Sequence, residues 1–251
     1  MPQPFFTTSA LILRETKYKE ADRILTMYSA DRGLITAKAR GALRKGSKIA
    51  AATQMLTYSE LTLFENREFL TVNEAVIKEP FTGLRSDFEG YALACYLVEC
   101  IEALCAEETG DREILQLILN SLYALSVNMK EPEIIKAAFE LRLMCLLGYR
   151  PDLDRCMICG AEEPAEPVLS ITAGHICCRR CRNADTGITD YLDDASLAAM
   201  RHISNAPAKQ IFAFKCEGEG LKRLGRATED YLLTQTERRF GTLEYWKTIK
   251  S

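Results

Sequence analysis

Two cysteine pairs, Cys156-Met157-Ile158-Cys159 and Cys178-Arg179-Arg180-Cys181, stand eighteen residues apart in a chain of 251. Two residues between thiols let both sulfurs of one turn face a single ion, and an intervening stretch of this length lets the second pair fold back opposite the first. The spacing therefore predicts a tetrahedral metal site, one Zn2+ per chain, with protein sulfur at every position. Catalytic zinc keeps a position open for water or substrate, so a closed four-thiol shell predicts a structural staple and no chemistry at the metal.

Disulfides are the first competing explanation. Met1 to Thr8 has no basic segment followed by a long apolar run and a small-residue cleavage site, so the chain reads as cytosolic, where disulfides are rare. The other cysteines, Cys95, Cys100, Cys105, Cys145, Cys177 and Cys216, form no framework. Cys95, Cys100 and Cys105 are five apart, which walks around a helix, and they read as small buried apolar residues. A redox Cys-x-x-Cys is disfavoured by the presence of two pairs at metal-site spacing. Cys177 competes with Cys178 as a ligand, but Cys178 restores the two-residue gap to Cys181. His175 reads as a loop residue and His202 as a helix-surface or packed one. With only these two histidines, and no His-x-Glu ahead of Pro-Cys-x-x-Cys, acid–base machinery of the zinc-deaminase or hydrolase kind is not expected.

The formal net charge of −3 is unevenly spread. Met1 to Leu84 carries twelve Lys/Arg against nine Asp/Glu, Arg85 to Arg150 six against eleven, and Pro151 to Ser251 fourteen against fifteen. Within the basic first third, Lys38, Arg40, Arg44, Lys45 and Lys48 occur with no acid from Leu34 through Tyr58, and Arg14, Lys17, Lys19 and Arg23 precede them. Such a cluster is either an ordinary solvated loop or an electrostatic footprint for a polyanion. No run of eighteen apolar residues exists to span a membrane.

From Ser9 to Lys78 the apolar and β-branched runs are too short for helices. Strands are predicted at Ala10–Leu13, Arg23–Tyr28, Leu34–Ala37, Leu56–Phe64 and Phe69–Val72. A turn at Asp31-Arg32-Gly33, a basic loop from Gly41 to Gly46 and a reversal at Glu65-Asn66-Arg67 separate them. Five short strands suit a small closed barrel, either the five-stranded OB-fold barrel, which binds nucleic acid, or an SH3-like barrel that binds peptides. After Pro80 the periodicity turns helical. Helices are predicted over Ser86–Glu108, from an Asp111 cap to about Val127, and from Pro132 to Gly148, with two more over Ala195–Ile203 and about Glu219–Arg239. A short apolar segment, Ile211 to Phe214, lies between the last two. The fold class is thus α+β: a barrel domain over residues 1–80 and a helical domain over 81–251, with the four-cysteine zinc-finger insertion at about 154–184 as a wing of the helices.

Three stretches resemble the RecO family of bacterial recombination mediators, and the similarity covers nearly the whole chain. They are Ala10 to Thr26 with Gly33 to Ala42; Phe139 to Leu153 running into Cys156 through Gly160; and Gly174 to Cys181. The helix end, the Gly148-Tyr149-Arg150-Pro151 turn and the cysteine knuckle in that order are specific. Lys19 stands where the family has glycine, His175 replaces the second glycine of the closing knuckle, and Gly46 sits where a basic residue is common. The resemblance implies an OB-fold that binds single- and double-stranded DNA, anneals complementary strands and, with RecR, helps place RecA on DNA coated by the single-stranded DNA-binding protein, whose acidic C-terminal tail it also captures.

It further implies a cytoplasmic, nucleoid-associated mediator with no enzymatic step, no membrane and no small-molecule substrate, in which zinc supports folding and is not essential to activity. Phosphate contacts would come from Lys38, Arg40, Arg44, Lys45 and Lys48, with Arg14, Lys17, Lys19 and Arg23 as a second tier. Tyr18, Tyr28 and Tyr58 are either stacking surfaces or buried barrel residues. The alternative from another class is a zinc-stapled scaffold whose barrel binds a partner protein.

Overall fold

The computed structural model describes residues 5–66, 69–107 and 109–250. Arg67, in the reversal expected after the fourth strand, and Glu108, at the expected end of the first helix, lie outside the described residues. Two compact units emerge: residues up to Val127 together with those from Thr242, and Asn128–Gly241.

In the first unit, β1 (Phe5–Tyr18), β2 (Asp22–Ser29), β3 (Gly33–Ala39), β4 (Tyr58–Glu65) and β5 (Leu70–Glu79) close into a barrel in the order β1-β2-β3-β5-β4. This is the expected five-stranded OB-fold barrel. Alternation builds its interior. On β3, Ile35, Ala37 and Ala39 point inward to meet Ala10 and Ile12 of β1, Leu25 and Met27 of β2, Leu61 and Leu63 of β4 and Val72 of β5. Closure between β3 and β5 is parallel and brief, pairing Ala37 with Leu70 and Lys38 with Thr71. Gly33 opens β3 at φ +63°, and a Cβ there would lie 2.6 Å from the Ala106 carbonyl oxygen, so glycine is required twice over.

The fourth strand begins later than its apolar pattern predicts. Leu56 takes φ +58°, its N–H donates to the Ile12 carbonyl at 2.9 Å, and Ile12 N–H donates back to Thr57 at 3.0 Å. These two bonds close a tight crossing onto β1 beside its register shift at Ile12/Arg14, and pairing with β5 starts only at Tyr58.

Against the barrel pack α1 (Phe88–Leu104) and α2 (Arg112–Ser126). Asp87 caps α1 by accepting from Gly90 N–H at 3.0 Å, and Asp111 caps α2 by accepting from Glu113 and Ile114. Tyr28, fully buried at the end of β2, accepts from the Asp111 N–H at 3.1 Å and so ties that cap to the barrel.

The second unit holds α3 (Pro132–Leu146), a three-stranded sheet, α4 (Asp194–Asn205) and α5 (Gly218–Thr236). Pro132 opens α3, where its missing N–H is not needed. Asp193 and Ser196 form a reciprocal capping box on α4. The last long helix stops short of the expected Arg239 because Glu237 turns left-handed at φ +52°. The sheet has β6 (Pro167–Ser170) between β7 (His175–Cys178) and β8 (Thr189–Tyr191); β6 and β7 fall within the expected zinc-finger insertion and β8 just beyond it, where no strands are predicted. A final helix, α6 (Gly241–Ile249), was likewise not expected; from it Leu243 and Trp246 are buried in the first unit. Among the described residues no helix is long and apolar enough to cross a membrane.

Candidate functional sites

Cys156, Cys159, Cys178 and Cys181 converge, with ligand atoms all within 4.8 Å of one another. Local hydrogen bonding explains the convergence. Cys156 N–H donates to Ala161 O at 2.7 Å and Gly160 N–H to Cys156 O at 2.8 Å, with Gly160 at φ +75°, so the first pair is wound into a knuckle. The second pair straddles the end of β7: Cys178 is its last residue and Cys181 ends the following 3-10 turn. Met157 N–H donating to Ile176 O at 3.0 Å fastens the two halves together.

Cys177 is fully buried in the same cluster as Cys156 and Cys178, yet it is not one of the four converging thiols. Tetrahedral thiolates about 2.3 Å from a metal sit about 3.8 Å apart; Cys159 and Cys178 Sγ are 3.9 Å apart. Burial works against ionising Cys156, yet the N–H groups of Cys159, Cys178 and Ile158 directed at its sulfur prevail and bring it down to about 6. Four sulfurs at metal-site separation, one already favoured as thiolate, fit a closed metal shell. A bound ion would clamp knuckle to sheet, leaving no coordination position for a reactant.

On the barrel the nine cations expected to contact DNA divide into two groups. Arg23 is turned inward, its side chain only 12% exposed: Nε pairs with Glu15 at 3.2 Å, and Nη1 donates to Ala50 O at 2.8 Å and Thr53 Oγ1 at 3.1 Å. It pins the β3–β4 connection. Arg14 is exposed but paired with Glu102 of α1 at 2.7 Å. By contrast, none of Lys17, Lys19, Lys38, Arg40, Arg44, Lys45 and Lys48 makes an ion pair among the described residues. All are exposed except Lys38, which is half-buried. Arg40 to Lys48 occupy the successive turns that follow β3, and Lys17 and Lys19 lie at the β1–β2 turn.

Lys38 projects outward from β3, and its Nζ lies 4.9 Å from the Tyr18 ring centroid and 4.4 Å from that of Phe69. Lys19 Nζ lies 5.5 Å from the same tyrosine. Of the three tyrosines weighed for stacking, Tyr18 is exposed, Tyr58 half-buried and Tyr28 buried. Phe69 was not anticipated. The barrel order is the signal that finds it, since in an OB-fold the β1–β2 and β4–β5 loops flank one face.

The model described as "Recombination protein O N terminal" matches residues 1–81, and that described as "Recombination protein O C terminal" matches residues 85–244. This chain belongs to the recombination protein O family. Among curated relatives, the "DNA repair protein RecO" of Acetivibrio thermocellus is 31% identical over 245 residues, covering 98% of this chain and 97% of its own. That of Symbiobacterium thermophilum is 30% identical over 253 residues, covering 98% of both chains. That of Heliobacterium modesticaldum is 29% identical over 256 residues, 98% of this chain and 89% of its own. The RecO family assignment thus spans both the barrel and the thiol-bearing unit.

Proposed function

We propose that this RecO-family protein acts in DNA repair and recombination by binding DNA along the barrel and annealing complementary strands. The observation that supports it best is the set of unpaired cations at one loop cluster of a closed OB-fold barrel: Lys38, Arg40, Arg44, Lys45 and Lys48, with Lys17 and Lys19 beside them. A cation without a carboxylate partner keeps its full charge for phosphate, and each phosphate neutralised releases counterions, which gives affinity independent of sequence. Annealing requires only that two polyanions be brought together with their charge neutralised, so no catalytic group is called for. Arg23, spent on the β3–β4 connection, is left out of this set, and Arg14 would first have to leave Glu102. In keeping with the family, RecR, RecA and the tail of the single-stranded DNA-binding protein are its expected partners. The metal in the four-thiol site is zinc, acting as a structural clamp.

The test is fluorescence anisotropy with labelled oligonucleotides over a salt series. Replacing Arg40, Arg44 and Lys45 together by alanine is expected to weaken binding and to flatten the log–log salt slope by ~2, without unfolding the chain. Unchanged affinity at low salt removes the assignment, and retained capture of a protein partner in its place favours the scaffold alternative.

A further inference from the structure

Three separate elements bring Tyr18, Lys38 and Phe69 together: the end of β1, the penultimate residue of β3 and the residue just before β5. Nothing in the barrel core requires it. Lys38 faces outward, Tyr18 is 38% exposed, and neither contributes to the packed interior. The ring-to-ammonium distances of 4.9 and 4.4 Å put the Tyr18 and Phe69 centroids at most about 9.3 Å apart, and a planar base sandwiched at van der Waals contact needs ~7 Å between flanking rings. Among the described barrel residues, Phe5 and Phe64 form a ring contact of their own, with centroids 5.0 Å apart.

We propose that Tyr18 and Phe69 are the two walls of a stacking subsite for one unpaired base, and that the Lys38 ammonium fills this subsite in the free protein. The inference rests on the reading that the barrel binds DNA, and adds to it the source of preference for single strands.

Energetics favour the exchange. A half-buried ammonium over two rings is held more weakly than a base stacked between them. An entering base displaces Lys38, whose flexible stem then carries the ammonium outward to a neighbouring phosphate. The lysine gives up a weak contact for an ion pair, and the base gains two rings. A base inside a duplex is already stacked and paired and cannot enter without first being released. Single strands therefore gain the subsite energy and duplexes do not, although both gain the surrounding charge.

The decisive experiment compares affinity for a single-stranded oligonucleotide containing 2-aminopurine with affinity for the matching duplex, using the full-length protein. Tyr18→Ala and Phe69→Ala are each expected to lower single-strand affinity roughly 5- to 100-fold, to leave duplex affinity within about twofold, and to abolish the fluorescence quenching that stacking produces. Tyr18→Phe retains both the affinity and the quenching. Lys38→Met is expected to keep the quenching while flattening the single-strand salt slope by ~0.7. Equal losses on both DNA forms, or no loss on either while the Arg40, Arg44 and Lys45 replacement still weakens binding, would overturn the subsite and leave the DNA-binding reading standing. No binding of either form by the unaltered protein would overturn that underlying reading instead.

Discussion

Lys136 Nζ lies 2.9 Å from Glu140 Oε1 in the interior of the second unit, and the same ammonium is 2.9 Å from Glu229 Oε2. Burial works against the charged form of this lysine, but Glu140 and then Glu229 hold its pKa above the ordinary value. Thr228 Oγ1 donates to Glu140 at 2.8 Å, so the cluster ties α3 to α5.

Removing the ammonium leaves two carboxylates facing each other in a poorly solvated place. Lys136→Met is therefore expected to lose ~3–5 kcal/mol of stability. Pairing it with Glu140→Gln should recover a substantial part, because only one of the two neighbouring carboxylates then carries charge. Urea denaturation of the two variants checks this, and a single-variant loss below about 1 kcal/mol would contradict it.

Asp190 should give an inverted pH dependence. Burial first, then the nearby Asp230 carboxylate, push its carboxyl up to about 6, against the pull of Arg226 at 3.1 Å. A carboxyl raised above its unfolded value binds its proton more tightly when folded, so its effect on stability is least adverse below about pH 4. The penalty grows as pH rises and is complete above pH 6. Asp190→Asn removes it, and since the Arg226 side chain is 74% exposed, little ion-pair energy is lost in return. The variant should match the parent near pH 4 and exceed it by ~1–2 kcal/mol at pH 7.5. A variant less stable at pH 7.5 would show that the Arg226 pair outweighs burial.

Lys19 sits at φ +52° in the β1–β2 turn, a left-handed conformation that glycine adopts freely and lysine does not. Lys19→Gly is expected to raise stability by up to ~1 kcal/mol while slightly weakening DNA binding through the lost charge. Thermal melts and the same anisotropy titration separate the two effects, and a lowered melting temperature would refute the strain argument.

What could be read from the sequence follows from how local each determinant is. Asp111, Pro132 and Gly33 announce element boundaries through their own backbone chemistry, and the alternation on β3 declares which side faces the core. The spacing of the cysteines likewise needs only the reach of a short turn. The strands β6 to β8 run three or four residues each, too few for a period of two to show, and α6 buries only Leu243 and Trp246. The left-handed turn at Leu56 is imposed by its bond to Ile12, a residue 44 positions away in the chain. At the barrel site the cations were legible as a composition bias. Which of them are free was not, because Arg23 and Arg14 are claimed by Glu15 and Glu102 only once the chain is folded. The meeting of Tyr18, Lys38 and Phe69 is non-local in the same way.

The thiol site yields the last prediction. Elemental analysis of purified protein is expected to find about one zinc per chain. Cys156→Ser should lower that content and the melting temperature together, since the Cys156 sulfur accepts the N–H groups of Cys159 and Cys178 that organise the knuckle. Cys177→Ser should leave the zinc content unchanged, because its side chain lies outside the group of four. A Cys156→Ser protein that keeps its full zinc content would place the metal elsewhere.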